Sequence, residues 1–319
     1  MKKVNIFSMR EQHRKTRCEL IYIVLTILIL ATPAGAWSNG GYSTDINNPK
    51  RGTHDLIVES AINMLPSDMK NKIDIKAADY GSEIPDCKNN TYCIGDIVKH
   101  SVYYFANGNV QKDDGATRAQ EEYNLAESCL KSGDTYNFSL HLGAMSHYIG
   151  DVSVFGHTMS NDTNWGPETH HSDYERYVEK NDSNFFGGIY FDKTFGDISA
   201  YDATLNMAKE TTFNSDVYTN VWMDDSYNWE DTNYVSRTKS LINYDVNLVA
   251  DVIYKLLSSS PEGDMLAYYR GLGQYPDIVE TNDLLKAADD WRNNVIPPGF
   301  SVLIATDQLL VLADEWRAS

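Results

Sequence analysis

Histidines and carboxylates recur at metal-binding spacing in the middle of this 319-residue sequence. The stretch from His147 to His157 has the form His-x3-Asp-x5-His, with Asp151 between the histidines. A second pair, His171 and Glu175, has the form His-x3-Glu. Residues four apart on a helix share one face, with Cβ atoms about 5–6 Å apart, so each pair could chelate one metal ion. Imidazole and carboxylate donors together suit zinc.

The carboxylate of Asp151 has two oxygens and could therefore bridge two ions. Neighbouring ions are the arrangement that clamps a phosphoryl group. A single His-x3-Asp pair on a helix is more often a surface or capping pair than a metal site. Two such pairs within 29 residues, with His157 between them, favour metal binding over that alternative.

Apolar residues at helical spacing predict the elements that would carry these side chains. A long helix from about Tyr136 to Val154 would present His147 and Asp151, and another would begin near His171. Further helices are predicted at about 53–65, 95–106, 116–131, 200–210, 233–259, 280–292 and 300–316. Polar, turn-rich segments predict loops at 37–53, 79–95, 160–170 and 182–200. Strand alternation is scarce, so we predict an all-α fold, a single compact multi-helix domain.

The first 36 residues have the composition of a secretory signal peptide. Six lysines and arginines precede an apolar run of about a dozen residues, shorter than the roughly 20 that span a bilayer. Small residues at 34–36 then predict cleavage after Ala36, with Trp37 as the new N-terminus. The predicted organisation is a signal peptide, 1–36, and a mature domain, 37–319, of a secreted, extracellular protein. Retention by an uncleaved N-terminal anchor is the alternative.

The formal net charge of −18 disfavours long-range attraction to nucleic acid and anionic lipid. Bound metal cations would offset part of that charge. Of the four cysteines, Cys18 lies in the leader, whereas Cys87 and Cys93 enclose a short polar loop. These two could form a disulfide after export. Zinc binding by their thiols is the rival interpretation, although no second cysteine pair follows.

The order of these residues resembles the zinc-dependent phospholipase C and S1/P1 nuclease superfamily. Its mature members begin with a tryptophan, which a histidine soon follows. An aspartate and a histidine come next, at a spacing that Asp86 and His100 reproduce with 14 residues. The His-x3-Asp-x5-His signature and a final His-x3-Glu or His-x3-Asp pair complete the pattern. Over roughly 37–180 this chain supplies, in order, Trp37, His54, Asp86, His100, His147, Asp151, His157, His171 and Glu175.

The resemblance implies three Zn²⁺ ions per chain. The first ion would be held by Asp86, His100, His147 and Asp151. The second would be held by His157, His171 and Glu175. The third would be held by Trp37, His54 and the bridging carboxylate of Asp151. Asp86 would also be the catalytic residue, as a base or by orienting the water.

Several neighbours compete with these assignments. The alternatives to Asp86, which its spacing to His100 favours, are Asp79, Glu83 and Asp96. His170 is the alternative to His171, but only His171 has an acid four residues on. His141 lies off the helix face of the signature histidines, so we interpret it as an outer or surface residue.

The resemblance implies a phosphodiesterase in which metal-activated hydroxide attacks phosphorus. The first hypothesis is a phospholipase C that hydrolyses glycerophospholipids to diacylglycerol and a phosphorylated head group, in transient contact with a membrane surface. The alternative is a P1-like single-strand nuclease or 3′-nucleotidase, whose partner would be nucleic acid. A zinc-stabilised binding protein without turnover is a third hypothesis. The sequence indicates no obligate protein partner.

The head-group preference stays open at this stage. Members that cleave phosphatidylcholine are expected to hold the quaternary amine with an acid three residues after the first tryptophan and with aromatic residues near the Asp-to-His segment. Here those positions are Gly40, Cys87 and Ile97. An anionic and aromatic cage at these positions is therefore not expected. The segment 182–319 adds helices, the last of which is predicted to pack in a core rather than on a membrane.

Overall fold

Helices make up most of the chain in this computed structural model, which describes residues 51–87, 93–214, 217–258, 265–270, 279–298, 300, 303–304 and 306–318. The helices are α1 (Thr53–Met64), α2 (Ser67–Lys70), α3 (Ile75–Glu83), α4 (Asp114–Ser132), α5 (Thr135–Asp151), α6 (His171–Lys180), α7 (Asp182–Phe186), α8 (Ala200–Phe213), α9 (Asn220–Asp225), α10 (Thr232–Ser258), α11 (Met265–Arg270), α12 (Thr281–Asn293) and α13 (Thr306–Ala318). Two 3₁₀ turns span Ile97–Lys99 and Phe155–Thr158. The architecture confirms the all-α prediction, whereas the predicted signal peptide, 1–36, lies outside the described residues.

The predicted helix at 95–106 is wrong. Apart from the short 3₁₀ turn, this region begins a two-stranded antiparallel sheet, in which β1 (Tyr103–Tyr104) pairs with β2 (Val110–Lys112). Aromatic and β-branched residues favour strands, and the intervening Asn107-Gly108 is a common hairpin turn. Gly108 has φ 83°, which a residue with a side chain rarely adopts.

Two predicted loops also contain helices. α3 extends to Glu83, inside the segment 79–95, and α7 lies inside 182–200. The start of α3 is stabilised by the side chain of Asp74, which accepts hydrogen bonds from the amides of Lys76 and Ala77. The small and polar residues of this segment favoured the prediction of a loop, although they form the end of a capped helix that packs in the interior.

The long helix α5 packs closely against α3 because each helix has a glycine at the contact. A Cβ atom on Gly81 would lie 2.0 Å from the carbonyl oxygen of Leu140. A Cβ atom on Gly143 would lie 1.9 Å from the carbonyl oxygen of Ala78. The two backbones approach too closely for any side chain there, and this fixes α5 beside the segment that follows α3.

Gly143→Ala should therefore destabilise the fold by about 2–3 kcal/mol, at the upper end of the cost of overpacking, although alanine has the higher helix propensity. Gly188→Ala is the matched control, since nothing lies within 4 Å of its added methyl group. The control should change stability by less than about 0.5 kcal/mol. Urea denaturation of both variants measures the difference. Equal stabilities would show that the two helices separate at little cost.

The C-terminal helices have a small core of their own. It contains Tyr269, Val279, Ala287, Phe300, Ile304 and Leu312. The burial of Leu312 agrees with the expectation that the last helix packs in a core. The described part of 182–318 contains helices and no strand. Within the described residues, no helix combines the length and the apolar character needed to cross a membrane.

Candidate metal centre

Eight of the nine expected metal ligands lie within the described residues, and all eight are buried; Trp37 lies outside those residues. They converge in three groups, in each of which the donor atoms lie within 4.8 Å of one another. The groups are Asp86, His100 and His147; His54, His147 and Asp151; and His157, His171 and Glu175. Residues up to 121 positions apart in the sequence therefore meet in one place.

The eight ligands come from three helices, one 3₁₀ turn and two positions that follow a helix or turn. α1 carries His54, and α5 carries His147 and Asp151 in its last two turns. α6 carries His171 and Glu175, one turn apart. Asp86 follows α3, and His100 follows the first 3₁₀ turn. His157 lies in the second 3₁₀ turn, and the close packing of α3 and α5 brings Asp86 beside His147.

The first group surrounds Nδ1 of His100. This atom lies 3.3 Å from Oδ1 of Asp86 and 3.3 Å from Nε2 of His147. Oδ2 of Asp151 lies 2.9 Å from the same nitrogen. Four donors from three parts of the chain thus face one point, and the two histidines present different nitrogens to it.

Asp151 is the shared member of the cluster because its two oxygens face different histidines. Oδ2 faces His100 and His147, at 2.9 and 3.2 Å. Oδ1 lies 3.3 Å from Nε2 of His54 and 3.8 Å from Nε2 of His157. A carboxylate in this position can bind one ion on each side.

The second predicted pair is also assembled. Nε2 of His171 lies 2.8 Å from Oε1 of Glu175, one turn later on α6, and Nε2 of His157 lies 3.8 Å from the same oxygen. Gly156 allows this approach, since a Cβ atom there would lie 2.4 Å from the imidazole of His171. Any larger residue at 156 would displace the ring.

The donor set fits zinc. Two ligands of a tetrahedral zinc ion, each at about 2.0–2.1 Å, lie about 3.3 Å apart. The His100–His147 and His54–Asp151 distances, both 3.3 Å, have this value. Nε2 of His54, Nε2 of His157 and Oδ1 of Asp151 are buried and form no hydrogen bond with any described residue. Buried polar atoms without hydrogen bonds are costly, and a metal ion would satisfy all three.

Outer contacts select which nitrogen of each histidine faces the centre. Nδ1 of His147 donates to the carbonyl oxygen of Ser82 at 2.7 Å, which leaves Nε2 as the inward donor atom. Nδ1 of His171 lies 3.4 Å from Oε1 of Glu168, so its Nε2 also faces inward. Metal-binding histidines usually have such an acceptor on the second nitrogen, which fixes the tautomer and the orientation of the ring.

The electrostatics of the cluster divide the histidines into two kinds. Burial, together with the positive charge of His147, lowers the pKa of His54 to about 3. Burial opposes the protonation of His100 as well, but Asp151, Asp96 and Asp86 outweigh it and raise the pKa to about 10. His54 is therefore neutral and ready to bind a cation, whereas His100 must first lose a proton.

The carboxylates respond to the same surroundings. Burial opposes ionisation of Asp151, but the charges of His147, His157 and His100 hold its pKa well below the usual value. Burial raises the pKa of Asp86. Asp151 is thus the permanent anion of the cluster, and Asp86 is the member with the greater proton affinity.

None of the competing residues belongs to the three groups. Asp79 and Glu83 are buried, but neither belongs to a group. Asp96 contacts the outer nitrogen of His100 rather than the inner one. His141 pairs with Glu122 at 2.8 Å. The backbone amide of His170 donates to Asp224, and its ring stacks on Tyr227 with centroids 4.6 Å apart.

One buried acid near the centre escaped the sequence analysis. Asp245 on α10 is fully buried, and neither of its oxygens has a hydrogen-bond partner among the described residues. A Cβ atom on Gly150 would lie 3.4 Å from Oδ2 of Asp245 and 3.3 Å from Nδ1 of His54. An aspartate within an otherwise apolar helix stripe, between Ile242 and Val246, was the available signal.

Cys87 and Ile97, the described positions at which a choline head group would be held, do not form a cage for a quaternary amine. Cys87 and Cys93 are joined by a disulfide with Cα atoms 5.2 Å apart, as the sequence led us to expect, so their thiols are not zinc ligands. Ile97 is aliphatic and half-buried. Gly40 lies outside the described residues. The disulfide instead anchors the chain directly after Asp86.

The helical frame and the buried histidine–carboxylate groups define a helical protein with sites suited to zinc. A family model described as zinc dependent phospholipase C matches residues 53–235, which is more than half of the chain. The chain belongs to this family. The match spans all eight described site residues, from His54 to Glu175.

Solved structures of two bacterial toxins also match. The alpha toxin of Clostridium absonum has 16% identity and a TM-score of 0.45, covering 65% of this chain and 63% of the toxin. The alpha-toxin of Clostridium perfringens, from avian strain SWCP, has 17% identity and a TM-score of 0.44, covering 64% of this chain and 62% of the toxin. The chain thus spans less than two thirds of each toxin's length. No curated protein matches the sequence.

Proposed function

We propose that this chain is a secreted phospholipase C that hydrolyses glycerophospholipids to diacylglycerol and a phosphorylated head group. The main support is that the family match and the buried donor groups fall on the same residues, from His54 to Glu175. Its partner would be phospholipid at a membrane surface, in transient contact. The proposal requires no protein partner.

We infer that three Zn²⁺ ions bind per chain. Asp86, His100, His147 and Asp151 would hold the first. His157, His171 and Glu175 would hold the second. His54 and Asp151 would hold the third, together with the amino group of Trp37, which is free only after cleavage behind Ala36. The two faces of Asp151 support the shared ligand in this scheme.

Zinc would supply Lewis acidity, which lowers the pKa of water to about 7 and makes hydroxide available as the nucleophile. The chain's own residues would orient that water and accept its proton as it becomes hydroxide. Asp86, whose pKa is raised by burial, is the proposed base that accepts its proton. Asp151 remains ionised and keeps the neighbouring histidines directed towards the metal positions.

The substrate would approach from the side of His157 and His171. These are the two most exposed ligands, with 8% and 6% of their surface accessible, whereas His147 and Asp151 have none. A phosphate placed there would lie beside the group formed by His157, His171 and Glu175.

Turnover of three substrates tests the proposal: phospholipid in mixed micelles, single-stranded DNA and a 3′-nucleotide. We expect release of diacylglycerol from the phospholipid, because the family match favours that substrate class. Activity should disappear with a chelator and return with zinc, since the donors form the site. Thin-layer chromatography and phosphate release follow the products.

A heat-treated sample and the protein with zinc but no substrate control for contamination and background hydrolysis. Cleavage of DNA or the 3′-nucleotide alone would instead support the nuclease. Zinc uptake without turnover of any substrate would support the binding protein. Phospholipid cleavage that persists after the metal has been removed would contradict the metal-dependent mechanism.

A further inference from the structure

We propose that Asp96 is a positioning residue for the first metal site, holding His100 so that its Nδ1 faces the ion. The inference rests on the proposed role of His100 as a zinc ligand. Oδ1 of Asp96 lies 3.4 Å from Nε2 of His100, the nitrogen that faces away from the donor cluster. The opposite nitrogen of the same ring faces Asp86 and Asp151.

Asp96 is itself held in place from two sides. The hydroxyl of Tyr148 donates to Oδ1 at 2.7 Å, and Nε of Arg118 donates to Oδ2 at 2.7 Å. The guanidinium of Arg118 also lies 5.1 Å from the centroid of the Tyr148 ring. Because both oxygens of Asp96 accept hydrogen bonds, the carboxylate has little freedom to rotate. It therefore holds the ring of His100 in one orientation.

The network extends from Arg118 along α4. Nη2 of Arg118 donates to Glu122 at 2.6 Å, and Glu122 pairs with His141 at 2.8 Å. Arg118 also pairs with Glu121, whose side chain is exposed. The helix therefore braces the loop that carries Asp96, and Glu121 offers a variant that perturbs Arg118 without touching the histidine contact.

Asp96→Ala should weaken binding of the ion at His100 about 10- to 100-fold, the usual effect of removing an outer acceptor. The ion at His157, His171 and Glu175 should keep its affinity, because Asp96 contacts none of these residues. Competition with a zinc chelator measures the affinities of the separate ions. Asp96→Asn keeps an oxygen that can accept from His100 and should lose less affinity.

The ring itself provides a second readout. Nitrogen NMR of the zinc-loaded protein should show His100 with Nδ1 bound to the metal and a proton on Nε2. In Asp96→Ala the Nε2–H signal should broaden or exchange faster with water. Glu121→Gln is the matched control and should leave both the affinities and the signal unchanged. Tyr148→Phe removes one support of Asp96 and should reduce affinity several-fold, even if Asp96→Ala does not fold.

Three results would overturn the inference. Unchanged zinc affinity in folded Asp96→Ala and Tyr148→Phe would show that His100 needs no outer support. An equal loss at all ions, with a lower melting temperature, would show a general structural role. Binding through Nε2 would reverse the assignment of the nitrogens. Failure of the wild type to bind zinc would instead refute the proposed function.

Discussion

Asp151→Asn is expected to remove two zinc ions together and to reduce hydrolysis at least about 100-fold, beyond the 10- to 100-fold range of residues that only contact ligands. The amide replaces one oxygen with a nitrogen that carries two protons and cannot bind a metal. It also removes the negative charge that the three neighbouring histidines surround. The side chain keeps its size, so the substitution tests the donor chemistry rather than packing.

The expected loss of two ions follows from the geometry of the carboxylate. Oδ2 lies against His100 and His147, whereas Oδ1 lies against His54. Either oxygen could be replaced by the amide nitrogen, but the loss of charge weakens both sides. Metal analysis after dialysis should find about three ions in the processed wild type and one in the variant, held by His157, His171 and Glu175.

Asp173→Asn is the matched control for this experiment. Asp173 lies on α6, between His171 and Glu175, but its side chain is 61% exposed and pairs with Arg176. The control should retain all ions and full activity, because exposed ion pairs contribute little. Loss of a single ion from Asp151→Asn would reject the shared carboxylate, and full retention would reject Asp151 as a ligand.

The pairing of ligands on one helix face could be predicted, because residues four apart on a helix lie on the same side. His147 and Asp151, and His171 and Glu175, lie four residues apart on helices and do face the same groups. The convergence of these pairs with His54, Asp86 and His100 depends on tertiary packing, which no local pattern specifies. The resemblance supplied that part of the prediction.

Asp86 and Asp96 show that sequence spacing alone does not decide which acid is the metal ligand. Both are close to His100 in sequence, and both contact its ring in the structure. A histidine has two nitrogens, so one acid can share a metal with it while another holds the ring from behind. Only the three-dimensional arrangement shows that Asp86 is on the inner side. The hairpin at 103–112 was missed for a different reason, since a short apolar run does not by itself distinguish strand from helix.

Zinc uptake should release protons near pH 7 and become weaker as the pH falls. Burial disfavours charge on His171, but Glu175 and Glu168 outweigh it and raise the pKa to about 10, close to the value for His100. In the metal-free protein both imidazoles therefore carry a second proton, and a positive charge, at pH 7. Only the neutral ring binds zinc, so each of these two ions competes with one proton.

The sign of the effect follows from these pKa values. Each ion should bind up to about tenfold more weakly for every unit that the pH falls below about 10, because one more proton must be displaced. The folded metal-free protein shows the linked behaviour: its raised histidine pKa values stabilise it fully below the unfolded value of 6.5, and that stabilisation is lost as the pH rises through about 10.

Calorimetry in two buffers of different ionisation enthalpy counts the released protons. We expect about three protons per chain at pH 7 from the processed protein: one from His100, one from His171 and one from the amino group of Trp37, which is protonated at neutral pH until it binds. His54, with a pKa of about 3, carries no proton to displace. His141→Gln should leave the count unchanged, since His141 pairs with Glu122 outside the three groups. Zinc binding with no proton release would show that the carboxylates do not hold protons on these histidines.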